Sequence, residues 1–123
     1  MARITVDEET VLQTLRDVVA ERPEYVYEAP EHMRVMTTPA SCFYVHTAED
    51  DADTCGCVVG HVLNRLGVPL EEMKRYEGSS AYDMVDELIN TSESAILAMD
   101  AAQRYQDSGT PWGETLRRVE AGD

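Results

Sequence analysis

Apolar residues recur at helical spacing in several segments of the chain, and the first of these predicts a helix over about residues 6–21. Thr5 and Glu8 have the spacing of a capping box at its start. Arg22-Pro23 ends it, because the residue before a proline is driven out of the helical region. The apolar face of this helix consists of Val11, Leu12, Leu15, Val18 and Val19.

Similar patterns predict further helices in the second half of the chain. They are a helix over about 57–66 closed by Gly67, a short helical turn from Pro69 to near Gly78, and a helix that follows Ser80 and has an apolar face running from Ala81 to Ile89. A long helix over about 93–107 comes next, and then a last helix with Thr110 as N-cap and Pro111 at its first position.

Two segments between these helices are rich in aromatic and β-branched residues and predict strands. They are residues 25–27 and 42–47, and we expect them to pair as an antiparallel ribbon, with Val35-Met36 as a third short piece. The acidic stretch 48–53 is predicted to be a loop. With no internal repeat or linker, the chain predicts one α+β domain over residues 1–123, mainly helical, with about five helices and a two- or three-stranded antiparallel sheet.

The net charge of −14 changes what the domain is expected to bind. Phosphate backbones and anionic lipids would be repelled, so direct binding of nucleic acid or membrane is disfavoured. A basic protein partner is favoured, with Asp50, Asp51 and Asp53 of the acidic loop as candidate contacts. Mimicry of DNA, adaptation to high salt and simple solubility are alternative interpretations of the charge. We expect a cytoplasmic location, because no apolar run is long enough to span a membrane and the first residues do not resemble a signal peptide.

All three cysteines and two of the three histidines fall within residues 42–61. Cys57 and His61 lie four residues apart at the start of a predicted helix and therefore share one side of it. A zinc site would use Cys55, Cys57, His61 and either Cys42 or His46. The single residue between Cys55 and Cys57 is fewer than structural zinc sites usually have. On one strand, Cys42 and His46 would be about 13 Å apart.

Two other interpretations of this window remain. Cys57 near a helix N-terminus would have a lowered thiol pKa, and His61 or His46 would serve as its base in a small cysteine-dependent enzyme. The neighbouring carboxylates oppose thiolate formation. Alternatively the cysteines are small apolar residues at the junction of strand and helix, which the pattern favours. No catalytic residue, cofactor or enzyme activity is predicted.

The only tryptophan, Trp112, also has two interpretations. It anchors a partner, as tryptophans often do at binding hot spots, or it packs back and fixes the last helix to the body of the domain.

Two stretches resemble segments of small uncharacterised accessory proteins of actinobacterial phages. They read CVVGHVLNRLGVPLEEM over residues 57–73 and AAQRYQDSGTPWGE over residues 101–114, about a quarter of the chain together. The resemblance implies a phage origin and expression in a bacterial host cytoplasm, and it implies no activity or site residue. We therefore expect a non-enzymatic accessory factor that binds a host or phage protein and can self-associate through a helix face.

Overall fold

The computed structural model of the protein describes residues 3–34, 43–48, 50 and 52–122. The predictions for Val35-Met36, Cys42 and Asp51 lie outside these residues. The described elements in chain order are β1 (Ile4–Thr5), α1 (Glu8–Glu21), α2 (Glu31–Arg34), β2 (Val45–Thr47), β3 (Asp53–Cys55), α3 (Val58–Arg65), α4 (Leu70–Lys74), α5 (Ala81–Leu88), β4 (Ile89–Asn90), α6 (Glu93–Asp107) and α7 (Trp112–Glu120). The architecture is α+β and mainly helical, as predicted.

Helix α1 ends where the sequence predicts but begins two residues later. Its N-cap is Asp7, whose carboxylate accepts a hydrogen bond from the Thr10 amide at 2.7 Å. The predicted capping box at Thr5 is wrong, because Thr5 belongs to β1 and the Val6 amide donates to the Asn90 carbonyl at 3.0 Å. Aspartate is also a better N-cap than threonine.

The long helix α6 has the bounds that the sequence predicts. Ser80 and Ser92 cap α5 and α6 through their hydroxyl groups, and Gly67 follows α3 with a φ of 108°. The prediction for the last helix is wrong by one position: Pro111 is the N-cap and Trp112 is the first helical residue.

The antiparallel sheet forms between different segments from those predicted. Strand β2 pairs with β3, with Val45 opposite Cys55 and Thr47 opposite Asp53. The Ala48 amide donates to the Ala52 carbonyl at 2.8 Å and closes the hairpin, and Asp53, the last residue of the acidic stretch, begins the second strand. A two-stranded ribbon is marginal by itself, and this one rests on α3 and α4.

Residues 25–27 do not form the predicted strand. Tyr25 and Tyr27 pack against the core, while Val26 between them is 46% exposed. The alternation of buried and exposed positions is thus real. The partner of this segment is α7, however, because the Tyr25 carbonyl accepts the Trp112 amide at 2.9 Å.

Strands β1 and β4 form a parallel pair that the sequence pattern did not predict, with Ile4 opposite Ile89 and Thr5 opposite Asn90. Each strand has two residues, too few to show a period-two pattern. The pair connects the start of the chain to the junction of α5 and α6.

The core lies between the helices, with α6 in contact with α1, α3, α5 and α7. Aliphatic residues supply most of it, together with one indole. Its largest fully buried side chains are Trp112, Leu15, Leu63, Met73, Met84, Ile89 and Met99, with Gln106 as a polar member.

Glu77 attaches the hairpin to the segment that follows α4. Its carboxylate accepts hydrogen bonds from the amides of Tyr44 at 2.9 Å and Val45 at 3.2 Å. Burial raises the pKa of Glu77, and the two amides act in the opposite direction.

Candidate functional site

The hairpin and α3 approach each other so closely that two positions require glycine. A Cβ on Gly56 would collide with the Phe43 carbonyl oxygen, and one on Gly60 would collide with the Tyr44 carbonyl oxygen. The Gly56 and Cys57 amides donate to the Tyr44 and Phe43 carbonyls, both at 2.9 Å. The spacing Cys55-Gly-Cys57 therefore marks the crossing from β3 into α3.

Cys57 is the N-cap residue of α3 and is completely buried in the core. In this position its side chain acts as a small apolar group. The thiol required by the enzyme hypothesis is not accessible to a substrate in this conformation.

Cys55 is half-buried and points towards α3. Its sulfur donates a hydrogen bond to the Asn64 side-chain oxygen at 3.5 Å, and burial raises the pKa of its thiol. A raised thiol pKa leaves less thiolate at neutral pH, so this cysteine is a poor nucleophile.

His61 faces a different set of groups from the two cysteines. Its Nε2 lies 3.3 Å from Nη2 of Arg22, and its ring meets the Trp112 ring edge-on with centroids 5.5 Å apart. Burial, assisted by the charges of Arg22 and Arg65, lowers the pKa of His61 to about 4. The ring is therefore neutral at pH 7, and Nε2 accepts the hydrogen bond from the guanidinium group.

Within the described residues, no group of three or more His, Cys, Asp or Glu side chains is arranged to hold a metal ion. Cys55, Cys57 and His61 are not brought together as one ligand set, and Cys42 lies outside the described part of the chain. His46 is used elsewhere, since its Nε2 lies 2.7 Å from the Tyr27 hydroxyl. That hydroxyl also accepts the Phe43 amide at 3.0 Å.

Trp112 lies at the centre of a group that we call the indole clamp: Arg22, Tyr25, His61, Gln106 and Trp112. The indole is 1% exposed, and its Nε1 donates to the Gln106 side-chain oxygen at 3.2 Å. The Arg22 guanidinium carbon lies 4.9 Å from the centre of the Trp112 ring and 4.2 Å from that of Tyr25. A partner could reach the indole only by displacing these groups.

Gln106 connects the indole clamp to α3. The oxygen that accepts the indole N–H also accepts the Val58 amide in the first turn of α3, at 2.7 Å. One buried amide group therefore joins α3, α6 and α7. The clamp accounts for Trp112 as a packing residue that fixes the last helix.

Two of the three candidate partner contacts in the acidic stretch, Asp50 and Asp53, form bonds within the molecule. The Asp53 carboxylate accepts the Thr47 hydroxyl at 2.8 Å and pairs with Lys74 at 3.2 Å. These two hydrogen bonds hold its pKa below the usual value. The Asp50 side chain accepts the Ala52 amide at 3.1 Å. Asp51 lies outside the described residues.

A second group of carboxylates lies on α5 and at the start of α6. We call them the acidic face: Asp83, Asp86, Glu87 and Glu93, all exposed. Among the described residues, no arginine or lysine lies within ion-pair distance of any of the four. The Tyr82 hydroxyl donates to both oxygens of Glu93 at 2.9 Å, and this bond, with the charge of Glu93, raises the pKa of Tyr82.

Comparison with protein-family models, with curated proteins and with solved structures found no match to this chain. The described helices include none that is both long enough and apolar enough to cross a membrane.

The sequence contains a signal for the acidic face that spacing alone did not reveal. Residues 76–103 include six aspartates and glutamates and not one lysine or arginine. Asp83, Asp86 and Glu87 all belong to α5, and all three are exposed. The structure adds that no lysine or arginine from elsewhere in the described part of the chain forms an ion pair with Asp83, Asp86 or Glu87.

Proposed function

We propose that this protein is a non-enzymatic interaction protein that binds a basic partner protein through the acidic face. The observation that carries this proposal is the set of four exposed carboxylates with no ion-pair partner in the described part of the chain. Several carboxylates elsewhere are neutralised locally, for example Glu120 by Arg16 at 2.7 Å and Asp100 by Arg104 at 3.2 Å.

The negative charges of the acidic face would attract a positively charged surface of a partner protein. Asp83 lies three residues before Asp86 and four before Glu87 on α5, and each of these two like-charged pairs costs about a few tenths of a kcal/mol. A basic partner would relieve that repulsion. It would also be attracted over about a Debye length, roughly 8 Å at physiological salt, so association would be faster at low ionic strength.

The resemblance of residues 57–73 and 101–114 to accessory proteins of actinobacterial phages supports a role as a phage accessory factor. The partner would then be a host or phage protein met in the host cytoplasm. A DNA-mimic inhibitor is a special case of this proposal, in which the partner is itself a DNA-binding protein.

The test is capture of partners from an actinobacterial host lysate with the full chain as bait. We expect at least one basic protein that elutes at raised salt. The triple variant Asp83→Asn, Asp86→Asn, Glu87→Gln should lose it. The matched variant Glu24→Gln, Glu31→Gln, Glu71→Gln removes the same charge from other exposed positions and should retain it.

Three outcomes separate the alternatives. Equal loss with both triple variants would mean that net charge, and not the acidic face, attracts the partner. No salt-sensitive partner in any lysate fraction would overturn the proposal. Displacement of the captured protein by duplex DNA would identify the DNA-mimic case.

A further inference from the structure

A groove of about 290 Å³ lies between α1, α6 and α7. Its lining residues are Leu12, Leu15, Ala98, Leu116 and Val119, with Arg16, Ser94 and Glu120 as polar members. This volume is at the lower limit for sites that enclose small organic ligands, roughly 300–1,000 Å³. The groove is better suited to one apolar side chain from another protein.

The apolar surface continues from the groove towards the acidic face. Leu97 of α6 is 51% exposed, and with Val26 it is one of the two large apolar side chains that stand out among the described residues. It lies three residues after Ser94, which lines the groove, and four residues after Glu93, so it shares a helix face with both. Leu97 therefore joins the groove to the acidic face.

The charges around this surface are unequal. Arg16 and Glu120 in the groove neutralise each other at 2.7 Å. At the end formed by the starts of α1 and α6, Glu8 accepts the Ser92 hydroxyl at 2.6 Å and Glu93 accepts Tyr82. Neither glutamate has a cationic partner among the described residues.

We infer that the groove and Leu97 bind the apolar ridge of a basic amphipathic helix of the partner, whose cations meet Glu8, Glu93 and the acidic face. Helices packed in a groove use anchors spaced three or four residues apart, and a basic flank matches carboxylates on one side only. The inference rests on the proposed function and specifies the chemistry of the partner.

Two synthetic peptides of identical leucine and lysine composition test this with the full-length protein. In one the leucines recur at i, i+3, i+4 and i+7, and in the other the order is scrambled. We expect the amphipathic peptide to bind at least about tenfold more tightly, measured by fluorescence anisotropy. Leu97→Asn should weaken its binding about fivefold, an expectation based on losing part of a buried leucine contact.

Val26→Asn is the matched control, since Val26 is comparably exposed and lies outside the groove; it should bind like the wild type. Ala98→Leu fills the groove and should weaken binding further. Urea unfolding of each variant shows that the fold is retained.

Each remaining outcome has a definite meaning. Equal binding of both peptides, abolished by the acidic-face triple variant, would overturn the groove inference and leave the proposed function standing. Binding of neither peptide at low salt would count against both. A wild-type dimer that Leu97→Asn dissociates would show that a second copy of this chain covers the groove, and the inference would be wrong.

Discussion

The indole clamp and the acidic face use polar groups in opposite ways. In the clamp, Arg22 bonds to His61 and stacks on the indole, and Gln106 accepts the indole N–H, so the polar groups are used inside the molecule. On the acidic face, four carboxylates have been left without a cation in the described structure. The histidine and tryptophan that looked like candidate site residues thus belong to a packed junction of helices, whereas the aspartates and glutamates of the acidic face form an open surface.

The largest expected effect concerns the clamp. Trp112→Ala should lower the free energy of unfolding by about 3–5 kcal/mol, because it leaves a cavity and removes the ring contacts to Arg22 and Tyr25. Urea unfolding followed by circular dichroism measures this. Leu97→Ala serves as the control and should cost less than about 0.5 kcal/mol, since Leu97 is half exposed. A loss below about 1 kcal/mol for Trp112→Ala would mean that the indole does not hold α7.

The helices could be predicted from the sequence, and the strands largely could not. Helical stripes in α1 and α6 extend over four turns, so the burial pattern of the helix repeats several times within the segment itself. Strand pairing depends on a partner elsewhere in the chain. Residues 25–27 alternate like a strand, yet the Tyr25 carbonyl bonds to the Trp112 amide of α7 and not to another strand. The two-residue strands β1 and β4 are too short to show any pattern.

The positions of side chains in the candidate site could also be predicted only in part from the sequence. Cys57 and His61 were expected on one side of a helix, but burial separates them: the thiol enters the core and the imidazole meets Arg22 and Trp112. Sequence spacing gives the side of a helix and not the depth at which a side chain is buried. Asp53 likewise reads as a free loop carboxylate until Lys74, twenty-one residues away, becomes its neighbour.

A pH experiment tests the packing of the indole clamp, because His61 is the member of the clamp that titrates between pH 4 and pH 7. Its folded pKa of about 4 is below the unfolded value of 6.5, so the unfolded chain binds more protons between these pH values. The stabilisation is complete above pH 6.5 and is lost as the pH falls towards 4. The neighbouring charges are Arg22, Arg65, Glu21 and His46.

His61→Gln keeps an acceptor for Arg22 but cannot titrate. Between pH 7 and pH 4 the wild type should lose about 1–2 kcal/mol more than this variant, after allowance for solvent screening of a partly exposed ring. Urea unfolding at a series of pH values gives the difference, and the His61 ring signals in NMR give the pKa directly. Titration of His61 near 6.5 would contradict the packed geometry of the clamp.

The smallest expected effects come from the same change, aspartate to asparagine, at two different carboxylates. Asp53→Asn removes the ion pair with Lys74 and weakens the bond from Thr47, so the thermal midpoint should fall by a few degrees. Asp86→Asn removes a charge that has like-charged neighbours on the acidic face, so the midpoint should stay the same or rise slightly. Differential scanning calorimetry at pH 7 measures both midpoints.

Salt and pH should change the difference in thermal midpoint between Asp53→Asn and Asp86→Asn in known directions. High salt screens exposed charges, so the difference between the two variants should shrink at 1 M NaCl, where the Debye length is about 3 Å. The lowered pKa of Asp53 means that its stabilisation is present above pH 3.8 and is lost as the pH falls through the folded pKa. A fall in the midpoint for Asp86→Asn as large as that for Asp53→Asn would show that Asp86 has a stabilising partner, and the acidic face would then not be the open surface that a basic partner requires.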